Sequence, residues 1–369
     1  MNILILHRKD ITNPHAGGGT LYIHRVARYL VQKGHSVTFL CANYVGGRKR
    51  EIIDGVNIVR LGNRYSVYPL AFIYYVKKLR KKMDVLIDVI DDMAFFTPLY
   101  SSIPKIALIH QTSKEVFLLE YNKILSSIMY LMEKMIAFIY RNVPTITPSF
   151  SVKKELVNNG FPEKNIFVVP PGIDLEKYGL SKKSVYPIVL YVGRLKKYKG
   201  VEFLIQAMKE VIKKIPDAKL LIVGKGDHMK SLIEYTRKLG LKCAVEFSGY
   251  VSEEEKIQHM QRAHVIVLPS VKEGWGIPII EAAACGTPAI GSDTTGLKDS
   301  IVNEKTGFLV PYGNPEILAE KIVECLRNDH LRERLGKNAI RWARNFEWEK
   351  MLYRIETIIT ALGKKIMCI

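Results

Sequence analysis

Two glutamates, Glu273 and Glu281, lie in a segment rich in glycine and proline, and their placement suits a hydroxyl-rich ligand. The string reads Glu-Gly-Trp-Gly-Ile-Pro-Ile-Ile-Glu. Its glycines let the backbone approach a ligand closely. Pro278 favours the first turn of a helix, whose free N–H groups bind anions. We expect a phosphate at this helix N-terminus, with both carboxylates accepting hydrogen bonds from sugar or ribose hydroxyls. Alternatively, Glu281 only complements the helix dipole.

A second candidate group consists of cations in segment 193–200, which reads Gly-Arg-Leu-Lys-Lys-Tyr-Lys-Gly. The segment follows a strand-like run and precedes a helical pattern. This is the position at which α/β folds bind phosphates. Arg194 and Lys199, at its two ends, are the predicted phosphate ligands. Lys196 and Lys197 fit a solvated lysine-rich turn. A weaker glycine-rich turn follows at 224–226.

The N-terminal half contributes a histidine and several aspartates. His110 ends a strand-like run, and we expect it to hydrogen-bond donor or acceptor hydroxyls; a purely structural histidine is the alternative. Asp88, Asp91 and Asp92 follow another strand-like run and are weaker candidates on the acceptor side.

Two further patterns bear on cofactors. The glycines at 17–19 precede a helical pattern but do not form Gly-x-Gly-x-x-Gly, and the second strand is followed by Cys-Ala-Asn rather than an acid. Both observations argue against a nicotinamide-dependent dehydrogenase. The sequence contains no Asp-x-Asp motif, so we expect no bound metal. Arg194 and Lys199 would instead supply the positive charge that a divalent cation would provide beside a phosphate.

Alternating strand and helix patterns position these residues. The predicted strands are 3–6, 36–40, 56–60, 85–89, 106–110, 145–147, 166–169, 188–192, 219–223, 245–247, 265–268 and 289–291. Helical patterns lie between most of them, which predicts parallel sheets in an α/β fold. The turn residues at 170–174 separate the two halves. We predict two doubly wound Rossmann-like domains facing a central cleft, one over 1–175 and one over 176–345. A terminal helix over 346–369 is expected to pack back on the first.

Composition narrows the class further. The chain has 55 basic and 36 acidic residues, a net charge of +19, which suits phosphate ligands, anionic membranes or nucleic acid. Five scattered cysteines, at positions 41, 243, 285, 325 and 368, indicate reduced thiols in a cytoplasmic protein. The apolar run at 2–6 is too short for a signal-peptide core. The apolar run at 124–143 is interrupted by Glu133 and Lys134, so no membrane span is expected.

Segment 69–83 predicts an amphipathic basic helix. Its expected apolar row is Phe72, Tyr75, Val76, Leu79 and Met83, and no acid interrupts its cluster of cations. Helices of this kind lie on anionic membranes. A core-facing helix with a solvated basic edge is the equal alternative.

Taken in order, these motifs resemble the retaining GT-B glycosyltransferases of family 4. The resemblance rests on Pro-Gly-Ile-Asp at 171–174, Gly193-Arg194, Lys199-Gly200, Gly-Lys-Gly at 224–226, Pro-Ser at 269–270 and the Glu-x7-Glu string. It covers nearly the whole chain. Trp275 replaces a frequent Phe, and Thr-Gly-Leu-Lys at 295–298 replaces a commoner Gly-Gly-Leu-Pro.

The resemblance implies a role for each site residue. Arg194 and Lys199 would hold the donor diphosphate, Glu273 the donor sugar and Glu281 the ribose. The remaining implied donor contacts are the backbone at Gly276, Ile277 and Pro278, the loop at Tyr250 and Val251, and Gly18. His110 matches the histidine that the family places in its cleft.

The expected activity is therefore that of a retaining hexosyltransferase that needs no cofactor. It would act from the cytoplasm, at the inner face of the cell membrane, on a lipid-linked or glycan acceptor. One alternative is a nucleotide-sugar epimerase or hydrolase of the same fold. A nucleic-acid-binding protein is a distant alternative, suggested by charge alone, because no nucleic-acid-binding motif is present.

Overall fold

The computed structural model describes residues 1–91 and 93–367, so Asp92 and Cys368 lie outside the described residues. The chain divides into two compact units. The first comprises Met1–Ser113, Ser127–Gly172 and the C-terminal segment from Trp348, and the second comprises Lys114–Ser126 and Ile173–Glu347. Segment 114–126 thus belongs to the second unit, although the sequence places it within the first domain. The reason is that its helix packs on the turn at 197–199.

The first unit is built around one sheet with a helix between most strands. Its strands are β1 (Asn2–Leu6), β2 (Ser36–Ala42), β3 (Arg50–Ile53), β4 (Val56–Leu61), β5 (Val85–Ile90), β6 (Lys105–Ile109), β7 (Thr145–Thr147) and β8 (Ile166–Val168). The helices along this part of the chain are α1 (Gly18–Gln32), α2 (Val67–Tyr74), α3 (Lys114–Glu120), α4 (Lys123–Tyr140) and α5 (Phe150–Asn158).

The strand order in this sheet is β3-β4-β2-β1-β5-β6-β7-β8. All described neighbours are parallel except β3 and β4. The parallel strands consist mainly of apolar residues because helices cover both faces. On one face, α1 buries Tyr22, Ile23 and Val26 against Ile3 and Ile5.

The second unit repeats this architecture. Its strands are β9 (Ile188–Val192), β10 (Lys219–Val223), β11 (Val245–Gly249), β12 (Val265–Leu268), β13 (Ala289–Ser292) and β14 (Gly307–Val310). Its helices are α6 (Val201–Lys214), α7 (Met229–Lys238), α8 (Glu253–Arg262), α9 (Ile277–Ala284), α10 (Leu297–Ser300), α11 (Pro315–Arg327) and α12 (Asp329–Ala343). The parallel strands follow the order β11-β10-β9-β12-β13-β14. The predicted α/β class with two Rossmann-like domains is confirmed.

The last helix, α13 (Trp348–Met367), belongs to the first unit. Trp348, Met351, Leu352 and Ile355 are buried in the same core as α1. A Cβ on Gly172 would lie 2.5 Å from the Cα of Trp348. Only glycine therefore permits this close approach of the two chain segments.

The basic segment 69–83 differs from its predicted geometry. α2 ends at Tyr74 and continues as a π-helical turn, Tyr75–Leu79. The buried row includes Ala71, Tyr75 and Leu79, whereas Phe72 and Val76 are 42% and 40% exposed. The predicted apolar row is therefore wrong in part, because spacings of four residues through the π-turn keep Tyr75 and Leu79 on the sheet. The helix packs on the core and also exposes apolar side chains.

No helix in the described part of the chain is long and apolar enough to cross a membrane.

Candidate functional site

The cationic loop 193–200 connects β9 to α6. Lys199 Nζ lies 2.5 Å from Glu273 Oε1, which also accepts a hydrogen bond of 2.8 Å from Ser270 Oγ. Both members of the ion pair are largely buried. Arg194 is exposed, and its guanidinium donates to Tyr198 Oη at 3.0 Å. The structure thus joins Lys199 to Glu273, two of the residues predicted from sequence.

Close contacts between backbones hold this loop. A Cβ on Gly224 would lie 1.9 Å from Gly193 O, and one on Gly226 would lie 1.9 Å from Leu195 O. Any side chain at either position would collide with the loop backbone. The glycines at 224–226, only weak signals in the sequence, therefore fix the position of the Arg194 backbone.

The Glu-x7-Glu segment forms a loop followed by a helix, as its glycines and proline predict. Gly276 precedes α9 with a φ of +87°, and Pro278 lies in the first turn. A Cβ on Gly296 would lie 2.4 Å from Glu273 O. This glycine belongs to the Thr-Gly-Leu-Lys string at 295–298, which differs from the commoner Gly-Gly-Leu-Pro. It is therefore required for close packing against this loop. Pro278 has no N–H and Ile279 donates its own to Gly276 O, so the backbone donors at the start of the helix are those of Gly276 and Ile277.

Glu281, in α9, is buried and carries two partners that sequence reasoning missed. Lys256 Nζ lies 2.8 Å from its Oε1, and Tyr178 Oη donates to the same oxygen at 3.0 Å. Burial opposes the charge on Lys256, but Glu281 and Glu253 outweigh it and raise the pKa of the lysine. Burial and the same carboxylates also raise the pKa of Tyr178. Neither partner belongs to a motif, so only the fold reveals them.

The loop after β11 is open to solvent. Tyr250 is 77% exposed, and Lys225 Nζ lies 5.6 Å from the centre of its ring. Val251 is half-buried and packs against the core beneath α9. The loop therefore presents one aromatic face beside a cation.

The short helix α3 contacts the cationic loop with carboxylates. Glu120 lies 3.4 Å from the backbone nitrogen of Tyr198 and 3.8 Å from Lys196 Nζ. Glu115 pairs with Lys272 at 3.1 Å. Lys272 is almost fully buried. The sequence did not indicate any of these contacts.

In the first unit, strand ends bring two histidines and an aspartate together. His7 is fully buried, and its Nε2 lies 3.0 Å from Asp91 Oδ2. Burial is the main cause that lowers the pKa of His110 to about 4, so its ring is neutral near pH 7. A Cβ on Gly19 would lie 2.8 Å from the His110 ring. Gly18 is the first residue of α1.

Asp88 does not fit the acceptor-side role suggested for it. Its side chain is fully buried and accepts hydrogen bonds from Thr97 and Tyr140. Burial raises the pKa of its carboxyl group. The register of β5 turns this residue into the core beneath α4, whereas Asp91 lies beyond the end of the strand. Among the described residues, no group of three His, Cys, Asp or Glu side chains could hold a metal ion.

Two family matches cover most of the chain. Residues 16–177 match the family described as Glycosyltransferase Family 4. Residues 172–342 match the family described as Glycosyl transferases group 1. An uncharacterised glycosyltransferase of Methanocaldococcus jannaschii is 28% identical, with 88% of each chain covered.

Solved structures share the fold. Sucrose-phosphate synthase of Thermosynechococcus elongatus has a TM-score of 0.84, with 21% identity and 99% of each chain covered. The Anabaena protein HepE, solved with UDP and glucose, has a TM-score of 0.78 and 17% identity, with 98% of this chain and 100% of that chain covered. The fold is that of the GT-B glycosyltransferases. The chain is a glycosyltransferase of the group 1 or family 4 type.

Proposed function

We propose that this glycosyltransferase transfers a hexose from a nucleoside-diphosphate sugar, with retention of anomeric configuration and without a metal ion. The observation that carries the proposal is the convergence of Arg194, the Lys199–Glu273 pair and the start of α9 at one sheet edge. These groups follow β9 and β12, which are parallel neighbours. Ligands of such sheets bind at the carboxyl ends of the strands.

The donor would occupy this edge as follows. Arg194, Lys199 and the backbone at Gly276–Pro278 would bind the diphosphate, since helix starts and fixed cations both favour phosphate. Glu273 would accept hydrogen bonds from the sugar. Glu281, which forms an ion pair with Lys256, would accept hydrogen bonds from the ribose hydroxyls. The nucleobase would lie beside the exposed loop at Tyr250 and Val251.

In the proposed reaction, the anomeric C–O bond to the diphosphate breaks while an acceptor oxygen bonds to the same carbon on the same face. The departing phosphate oxygen takes the acceptor proton, so atoms and charge balance. Negative charge grows on the diphosphate, and Arg194 and Lys199 stabilise it more in the transition state than in the ground state. On the first unit, we assign Gly18 to the phosphates and neutral His110 to hydroxyls of the donor or acceptor.

A donor panel tests this proposal. UDP-, GDP- and ADP-sugars are screened by thermal shift, because a ligand that binds the native state raises its stability. Proton NMR of the product then gives the anomeric configuration. We expect a retained anomer and unchanged binding in EDTA. An inverted product, or binding lost in EDTA, contradicts the mechanism. Rapid release of nucleotide without any acceptor supports a hydrolase or epimerase instead.

The acceptor is proposed to be lipid-linked or a glycan, reached at the inner face of the cell membrane. The support is the basic segment that follows α2, where Lys77, Lys78, Lys81 and Lys82 are all exposed. Each such cation contributes roughly 1 kcal/mol at an anionic surface. Replacing all four lysines with Ser is expected to weaken binding to anionic vesicles by up to about a thousandfold at low salt. Neutral vesicles serve as the control, and unchanged sedimentation on anionic vesicles contradicts this contact.

A further inference from the structure

Helix α4 exposes a row of apolar side chains within the first unit. Ile128, Leu131, Met135 and Phe138 are spaced by three, four and three residues and are 52%, 70%, 44% and 66% exposed. The opposite side of the helix, which includes Tyr140, is buried in the core. A contiguous exposed apolar row of this size marks an interaction surface rather than ordinary surface composition.

Helix α2 and its π-turn expose a second apolar row. Phe72, Ile73 and Val76 are 42%, 44% and 40% exposed, while the neighbouring Ala71 and Tyr75 are buried. The opposite side of the helix packs on the sheet, so the helix is held in place without any contact to this exposed row.

The two rows lie on the same side of the sheet. Leu6 is in register with Asp88, and Asp88 is in register with Ala107. Residues in register on parallel strands point to the same side. Leu6 belongs to the core beneath α2, and Ala107 belongs to the core beneath α4. Both helices therefore cover one side of this sheet.

Segment 97–101 connects the two helices. The Tyr100 ring packs against Phe72 with ring centres 5.0 Å apart, and the backbone nitrogen of Thr97 donates to Tyr140 Oη at 3.1 Å. Between these contacts, Leu99 is 68% exposed. The two rows and Leu99 form what we call the apolar face.

Charge identifies the partner. Segment 67–83 has no acid and includes five cations. On α4, the carboxylate of Glu133 accepts a hydrogen bond from the Ser113 backbone at 3.2 Å. At the C-terminal end of α4, Arg141 lies over the Phe138 ring at 4.7 Å. A second copy of the chain would bring like charges together. We propose that the apolar face inserts into the surface of a membrane rich in anionic lipids, with α4 supplying most of the apolar contact.

The inference goes beyond the proposed function, because it adds α4 and Leu99 to the basic segment and specifies insertion. It does not depend on sugar transfer. The salt dependence separates the two contributions: lysines act electrostatically and are screened, whereas apolar insertion persists at high salt.

The test is co-sedimentation of the full chain with vesicles of phosphatidylcholine containing phosphatidylglycerol. The variant replaces Ile128, Leu131 and Met135 with Ser. A matched control replaces three apolar residues of similar or greater exposure, Val45, Ile52 and Val185, with Ser. A conservative variant, Ile128→Leu with Leu131→Met and Met135→Leu, keeps the apolar row. Circular dichroism checks that each variant folds.

We expect the Ser variant of α4 to bind about a hundredfold more weakly than wild type, at low and at high salt. The matched control and the conservative variant should bind like wild type. Equal binding by the α4 Ser variant and wild type overturns the inference. So does a wild-type dimer that the Ser substitutions dissociate, with no vesicle binding. Binding of a nucleoside diphosphate, measured by thermal shift on the same samples, reports separately on the proposed function.

Discussion

The strand ends of the two units present different chemistry. In the second unit, cations are paired with carboxylates: Lys199, in the cationic loop, with Glu273, and Lys256, in α8, with Glu281. In the first unit, the ring of His110 is kept neutral near pH 7 by burial, beside the His7–Asp91 pair. The second arrangement suits stabilisation of a charged leaving group, because fixed charges act most strongly where charge develops. The first suits neutral hydrogen bonding to hydroxyls.

This difference also predicts how each region responds to substitution. An exposed cation such as Arg194 contributes little to stability, so its loss should affect turnover alone. A desolvated group such as the half-buried His110 is coupled to folding, so its loss should affect both stability and activity.

The largest expected effect is that of Arg194→Ala. We expect kcat to fall by about 100- to 1,000-fold, as for the loss of one group that stabilises transition-state charge. The melting temperature should stay near that of wild type. Lys197→Ala, an exposed cation of the same loop, is the matched control and should keep nearly full turnover. Normal kcat in folded Arg194→Ala would remove this residue from the mechanism.

The second-largest effect is expected from Gly224→Ala. Its added Cβ would collide with Gly193 O, and its φ of +141° disfavours other residues. We expect a loss of roughly 2–4 kcal/mol in the free energy of unfolding and weaker nucleotide binding. Gly240→Ala is the control, because Gly240 also has a positive φ but has nothing within 4 Å of the added Cβ. Equal losses in urea titrations of the two variants would show that the close approach contributes nothing.

The pH dependence of stability compares the two units directly. Burial lowers the pKa of both His110 and His264 to about 4. Between pH 4 and an ordinary pKa of about 6.5, the unfolded chain binds a proton that the folded chain does not. Stability should therefore fall as the pH falls through this window, by up to about 3 kcal/mol per histidine.

Substitution separates these two histidines. His110→Gln and His264→Gln should each flatten the stability profile below pH 6.5 in urea titrations. Only His110→Gln should also change kcat or KM, because of the two histidines only His110 is proposed to contact hydroxyls of the donor or acceptor. Unchanged kinetics in His110→Gln would make that histidine purely structural.

The smallest effect is expected from Glu120→Gln. The carboxylate of Glu120 lies near the cationic loop, at the backbone nitrogen of Tyr198 and at Lys196. Removing its charge should tighten binding of a nucleoside diphosphate by about two- to threefold, because exposed ion pairs contribute 1 kcal/mol or less. Glu234→Gln, at an exposed position of α7, is the control. Weaker binding by Glu120→Gln, measured calorimetrically, would mean that this carboxylate supports the loop rather than competing with phosphate.

Much of the fold could be predicted because its parallel strands are short apolar runs between turn residues. β9 and β12 have the bounds that the sequence predicts, since every buried position in them is apolar. β3 was missed because it is an antiparallel edge strand whose residues include Arg50 and Glu51. Its charged residues do not form an apolar run.

The candidate site was predictable only where a motif carries it. Glu273, Arg194 and Lys199 are marked by glycines that their backbone contacts require. Tyr178 and Lys256 come from distant segments with no distinctive pattern, and only tertiary packing brings them to Glu281. Asp88 and Asp91 show the same limit. They are only three residues apart, yet Asp88 lies within β5 and points into the core, whereas Asp91 lies just beyond the end of the strand.

The position of α13 also constrains the order in which the chain can fold during synthesis. Trp348, Met351 and Ile355 complete the core of the first unit but are translated after all of Ile173–Glu347. The second unit is therefore fully synthesised while the core beneath α1 in the first unit still lacks the apolar side chains of α13. Nascent chains that stop before Trp348 should expose this apolar surface and bind chaperones until the last helix emerges from the ribosome.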